Sequence, residues 1–245
     1  MANLLKNAKR GVRRSASGFI DRTVQSPKPW MRDVVAPLLC YIDMLIADFG
    51  VARAFYNNRH QISPDVWRSA QPAPRHIGWL ARHGVKTVIN LRGDQSAGTR
   101  WLQERACARN GLRLVYFRVR SRVAPSREEL LAIRELLQTV EYPIAVHCKS
   151  GADRAGLMSV IARHVREGVP IAAARDQLSL RYGHIRQAET GVLGAVFDSY
   201  LADNSRRPIA FWDWVEQIYD AHELNRNFKA KRWASRLVNG VLRRE

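Results

Sequence analysis

The stretch that most constrains this 245-residue chain is 142–168. Tyr142-Pro143-Ile144-Ala145-Val146 is an apolar run of buried-strand length, and Ala155-Gly156-Leu157-Met158-Ser159-Val160-Ile161-Ala162-Arg163-His164 has the pattern of a helix. Between them lies His147-Cys148-Lys149-Ser150-Gly151-Ala152-Asp153-Arg154. A strand that feeds a tight loop and then a helix turns successive backbone N–H groups toward one point, where the helix dipole adds positive potential. The ligand expected there is a phosphate, cradled by Lys149, Ser150, Gly151, Ala152, Asp153 and Arg154, with Gly151 freeing the loop backbone.

Cys148 stands at the mouth of this cradle. Thiols near a helix N-terminus and a guanidinium ionise at about pKa 3.5–7.5, so a thiolate nucleophile is expected. Arg154, six residues on, carries a planar fork suited to two non-bridging phosphate oxygens. The chemistry implied is attack of sulfur on a phosphomonoester, a cysteinyl-phosphate intermediate, and its hydrolysis by water. Backbone amides and Arg154 would carry the developing charge, so no metal and no cofactor is called for. His147 is expected to orient the loop through hydrogen bonds.

The loop resembles that of the cysteine-based phosphatases of the protein-tyrosine and dual-specificity superfamily, His-Cys-x5-Arg. Trp67-Arg68-Ser69-Ala70-Gln71-Pro72 and Gly84-Val85-Lys86-Thr87-Val88-Ile89-Asn90-Leu91-Arg92 are similar to the first two strands of its compact branch. The resemblance covers about residues 62–205. The Cys-Lys-x-Gly form also looks like the lipid-directed members, the phosphoinositide and phosphatidylglycerophosphate phosphatases.

Two positions depart from the family. Ala155 stands where members usually have Ser or Thr, which implies slow breakdown of the intermediate. Val119-Arg120-Ser121-Arg122-Val123-Ala124-Pro125 occupies the segment that usually supplies the general acid, and it has no carboxylate. Asp94 and Asp153 are the alternative acids; a turn residue and a loop-bracing ion pair are their competing roles. The family also implies a polar residue near the hydrolytic water, for which Gln187 is the candidate.

Along the chain, strands are expected at 65–68, 85–91 and 112–119, and helices at 75–83, 99–110, 171–182 and 190–200. Ser126-Arg127-Glu128-Glu129 starts a further helix with capping-box spacing. This alternation predicts an α/β fold, a mainly parallel central sheet covered by helices on both faces. The expected organisation is a basic amphipathic arm (1–33), a helical lead-in (34–61), a phosphatase domain (62–205) and an amphipathic, basic extension (206–245), with 208–224 packing on the domain. In such sheets ligands lie beyond the carboxyl ends of the strands. That rule gathers Asp94, the loop at 147–154, and a rim of Arg120 and Arg122.

The net charge of +18 is uneven. Residues 1–32 carry eight cations against Asp21, and residues 226–245 carry seven against Glu245. Both arms have an apolar stripe, Leu4, Ala8, Val12, Ala16 and Phe19 in one and Trp233, Leu237 and Val241 in the other. Such helices either lie at anionic membranes or pack on their own domain as solvated basic helices. Arg13-Arg14 is followed by no apolar signal core, because Asp21-Arg22 interrupts it, so export is not expected. Three scattered cysteines give no disulfide framework. A cytoplasmic enzyme, peripheral to the inner membrane face, fits these features.

The cationic rim favours a multiply anionic ester, an inositol phosphate or lipid headgroup. A phosphoprotein substrate is the alternative within the enzyme class, and a phosphate-binding module that has lost turnover is the alternative outside it. Nucleic acid is disfavoured, since charge alone suggests it.

Overall fold

Alternation of side chains along each strand divides the molecule into two layers around one sheet. The computed structural model describes residues 18–46, 57–93 and 95–229. Asp94 and most of both basic arms, 1–17 and 230–245, lie outside the described residues. The strands are β1 (His60–Ser63), β2 (Val66–Ser69), β3 (Thr87–Asn90), β4 (Arg113–Tyr116) and β5 (Ile144–His147), in the order β1-β2-β5-β3-β4. β1 pairs antiparallel with β2, and the remaining pairs are parallel. The mainly parallel sheet expected from the sequence is therefore present, with an antiparallel edge strand ahead of it.

The helices are α1 (Ala36–Ile46), α2 (Pro74–Arg82), α3 (Ala97–Arg109), α4 (Arg127–Thr139), α5 (Asp153–Glu167), α6 (Ile171–Ala174), α7 (Val192–Arg206) and α8 (Phe211–Gln217). On one face of the sheet Val66, Ile89, Ile144 and Val146 pack with Leu130 and Ile133 of α4, Leu157 and Ile161 of α5, and Phe197 of α7. On the other, Trp67, Val88 and Ala145 pack with Ile77 and Leu80 of α2 and Ala106 and Cys107 of α3. The register places His147 between Ser69 and Asn90, so β5 ends at the centre of the sheet's carboxyl edge.

Local chemistry explains where helices begin. Ser126 Oγ accepts from the Glu129 N–H at 3.2 Å while the Ser126 N–H donates to Glu129 Oε2 at 2.7 Å, the reciprocal capping box. Ser96 Oγ caps α3 by accepting from the Thr99 N–H. The helix expected over 171–182 stops at Ala174 and gives way to short 3-10 turns. The Gln177 carbonyl is diverted from a helical partner to the guanidinium of Arg68, 2.6 Å away. β4 is shorter than the 112–119 run, although the Phe117 and Val119 amides still donate to the carbonyls of Asn90 and Leu91.

The described chain beyond 206 belongs to the same core. Phe211, Trp214, Val215 and Tyr219 join the α4–α5–α7 cluster, and Trp214 Nε1–H donates to Asp203 Oδ2 at 2.8 Å. No described helix is long and apolar enough to cross a membrane. Truncating the fully buried Trp214 to Ala should cost about 3–5 kcal/mol, measured by urea unfolding. A loss under about 1 kcal/mol would mean that α8 is only appended to the domain.

Candidate active site

The loop after β5 is shaped from behind, through its carbonyls. The Lys149 carbonyl accepts from the Gln71 N–H at 3.3 Å and the Ser150 carbonyl from Asn58 Nδ2 at 3.0 Å. Arg68 Nη2 donates to the Gly151 carbonyl at 2.7 Å and to that of Ala152 at 3.0 Å. These four consecutive carbonyls are thus held from behind. The Gly151 N–H lies 3.3 Å from Cys148 Sγ, donating to it. The Ala152 N–H donates instead to Ser150 Oγ at 3.4 Å; a loop that turns a backbone N–H toward a sulfur at a helix N-terminus has the form of an anion site.

Gly151 has φ +76°, and a Cβ there would sit 2.6 Å from the Ala70 nitrogen. Both backbone sign and the close approach of β2's exit require glycine. Arg154, in the first turn of α5, spans the loop and donates from Nη1 to the Leu91 carbonyl at 3.3 Å. Its guanidinium is thereby placed at the end of β3, beside β5.

Arg68 is the central support. It is fully buried, yet faces no carboxylate directly; its donors go to the two loop carbonyls, to the Gln177 carbonyl, and to Gln177 Oε1 at 3.1 Å. The Tyr182 ring lies 4.0 Å from its guanidinium carbon. Burial lowers its pKa to about 10, which leaves it cationic at neutral pH.

A second buried network approaches from α3. Gln103 Oε1 accepts from Asn90 Nδ2 at 2.7 Å and from Gln71 Nε2 at 3.3 Å. Its amide nitrogen must then donate to His147 Nε2, 2.6 Å away, which assigns the ring proton to Nδ1. Arg92 Nη1 donates to Gln71 Oε1 at 3.0 Å and closes the network. His147 therefore orients the strand end that carries Cys148.

Of the acids proposed from sequence, Asp153 accepts at Oδ1 from Nδ1 of the buried His184 at 2.8 Å. Asp94 lies outside the described residues, one position past Gly93. Gln187 is exposed, and His184 is the residue of that segment that reaches the loop. Arg120 and Arg122 are exposed and form ion pairs with Glu129 and Glu189 at 3.3 and 3.1 Å. Lys149 and Ser150 are exposed at the loop, and Ala152 is buried. Ala155 is buried in the core and brings no hydroxyl to the sulfur.

Sequence reasoning missed Arg68, Asn58, Gln103 and His184. A signal existed for two of them. Arg68 interrupts an apolar strand, and Gln103 shares the buried α3 face with Thr99 and Ala106 at helical spacing. Among the described residues no three His, Cys, Asp or Glu side chains cluster as a metal site.

All three thiols are buried, but the Cys148 sulfur accepts a loop N–H. Burial pushes both Cys40 and Cys107 up to about 12, with nearby carboxylates adding to the shift. Iodoacetamide at neutral pH should label Cys148 alone in the native protein, and all three thiols after unfolding. Peptide mass mapping checks this; native labelling of Cys40 or Cys107 before Cys148 would contradict it.

Comparison with known proteins places this geometry in context. The family model described as the DSP-PTPase phosphatase fused to NAD+ kinase matches residues 43–191. The dual specificity protein phosphatase TpbA of Pseudomonas aeruginosa is 28% identical over 177 residues, which cover 66% of this chain and 78% of that protein. The TpbA crystal structure superposes with a TM-score of 0.47 at 21% identity, covering 71% of this chain and 91% of that one. The core catalytic domain of the PP-IP phosphatase SIW14 from S. cerevisiae gives a TM-score of 0.43 at 16% identity, covering 72% of this chain and 93% of that one.

Proposed function

Because the chain belongs to the DSP-PTPase family of cysteine-dependent phosphatases, we propose that Cys148 is the nucleophile of a two-step, metal-independent hydrolysis of phosphomonoesters. The observation that supports this assignment is the set of carbonyls at 149–152 held from behind, with the Gly151 N–H donating to Sγ. In the first step a sulfur–phosphorus bond forms and the ester oxygen leaves, taking a proton from an acid. In the second, water attacks phosphorus, the sulfur departs as thiolate, and inorganic phosphate is released. The loop N–H groups and Arg154 bind the non-bridging oxygens and stabilise the charge that develops on them.

Asp94 is assigned as the acid. Asp153 is engaged by His184, whereas Asp94 follows in sequence shortly after Leu91, whose carbonyl accepts from Arg154. Gly151 N–H supplies a donor to the departing sulfur where Ala155 supplies none.

For substrate, a multiply anionic ester, such as a lipid headgroup or an inositol phosphate, fits best. Arg118 and Arg120 are exposed, flanking the buried Val119, and Arg122 is exposed after them in the segment that follows β4. The exposed ion pairs of Arg120 and Arg122 are each worth about 0–1 kcal/mol, so a second phosphate group can displace Glu129 or Glu189 at little cost. A phosphoprotein substrate is the second reading, favoured by the name of the TpbA relative. Because the family is enzymatic, the inactive binding module is set aside.

Phosphate release in EDTA should vanish in Cys148→Ser; retained turnover would overturn the assignment. Asp94→Asn should lower kcat by about 10²–10⁴-fold on alkyl phosphates, and far less on p-nitrophenyl phosphate, whose leaving group needs no proton. Equal losses on both would exclude Asp94 as the acid. Inositol polyphosphate, phosphatidylglycerophosphate vesicles and phosphotyrosine peptide, compared by kcat/KM, rank the substrate classes.

A further inference from the structure

The helix that runs from Met31–Val35 into α1 is apolar on opposite sides. Ala36, Cys40 and Met44 of α1 are buried, the latter two in a cluster with Ile20 and Leu102. Two residues out of phase, on the far side of the helix, run Val34, Leu38, Ile42 and Ile46, which are 67%, 61%, 43% and 72% exposed. Trp30, Tyr41 and Leu45 are exposed beside them. A helix that is apolar all round belongs where both sides are covered, and a contiguous exposed apolar patch marks an interaction surface.

Charge identifies what covers it. Arg22, Lys28 and Arg32 are exposed ahead of α1, against Asp21 and Asp33. The preceding sequence adds Lys6, Lys9, Arg10, Arg13 and Arg14, with no acid before Asp21. An apolar stripe flanked by cations is the chemistry of a helix lying in the plane of an anionic lipid surface. A second copy of this chain would bring another +18 to the contact, whereas acidic headgroups neutralise it.

The same helix packs against the start of α3. The Gly98 N–H at the start of α3 donates to Asp43 Oδ2 of α1 at 2.9 Å, and a Cβ on Gly98 would lie 2.8 Å from the Cys40 Cα. The start of α3 is reached directly from the end of β3, where Arg154 contacts Leu91. Further along, α3 carries Gln103 to His147.

We propose that the Val34–Leu38–Ile42–Ile46 face is a docking surface for an anionic lipid bilayer, which brings phosphate esters at that surface within reach of Cys148. Docking stands on this helix face and the cations ahead of it; the delivery of substrate also rests on the assignment of Cys148 as nucleophile.

The test is co-sedimentation of the full chain with phosphatidylcholine vesicles, with and without phosphatidylglycerol, at about 0.15 M salt. Wild type should partition onto the phosphatidylglycerol vesicles and not onto pure phosphatidylcholine. The double variant Leu38→Asp with Ile42→Asp, and the milder Leu38→Ser with Ile42→Ser, should bind at least about tenfold more weakly. Both should keep the p-nitrophenyl phosphate turnover of wild type, which reports folding and the catalytic assignment separately from docking. Either result below would overturn the proposal: binding unchanged in both variants or absent in wild type, or a wild-type dimer in sedimentation velocity that both variants convert to monomer.

Discussion

The buried guanidinium of Arg68 is the contact on which the site depends. It stands on β2, in the layer of Val66 and Val146, and joins two loop carbonyls to the turn at Gln177. Burying a cation without a carboxylate is costly unless other polar groups take up its donors; in Arg68 Nη1 and Nη2 are taken up, while the buried Nε has no partner. Here those groups are carbonyls of the phosphate loop and of the 175–182 segment. The cost of burying the charge is offset by fixing the direction of the loop peptides, so that the loop N–H groups stand preorganised before any phosphate arrives.

Around that contact, separate elements converge on one strand end. Asn58, ahead of β1, holds the Ser150 carbonyl; Gln103 of α3 holds His147; His184 holds Asp153. Each belongs to a different layer or loop, so the geometry at Cys148 depends on the whole sheet being assembled. Preorganisation of this kind is what lets backbone dipoles stabilise a transition state without reorganising during the reaction.

The strand, loop and helix that carry the proposed chemistry were legible in the sequence because they are local. The strand, loop and helix at 142–168 lie within one short segment, and so does the capping box at Ser126. The periodic apolar positions of α4, Leu130, Ile133 and Leu137, gave that helix its core face. The supports were not legible, because they act across long separations: Asn58 meets Ser150 over 92 residues and Arg68 meets Gln177 over 109. The 171–182 segment illustrates the conflict directly. Ile171, Ala174, Leu178 and Tyr182 have helical spacing and are all buried, yet a tertiary hydrogen bond to Gln177 overrides the local preference. α1 is the converse case, since it falls within the helical lead-in expected at 34–61 while its bare outer face required the packing to be seen.

The most direct test of the account is whether phosphorus becomes bonded to Cys148. The protein, mixed with p-nitrophenyl phosphate and quenched in acid within a turnover, can be digested and mapped by mass spectrometry. The account predicts a phosphate adduct on the sulfur of Cys148, absent from Cys148→Ser. Turnover with no adduct at any time point, or an adduct carried by His147, would contradict it.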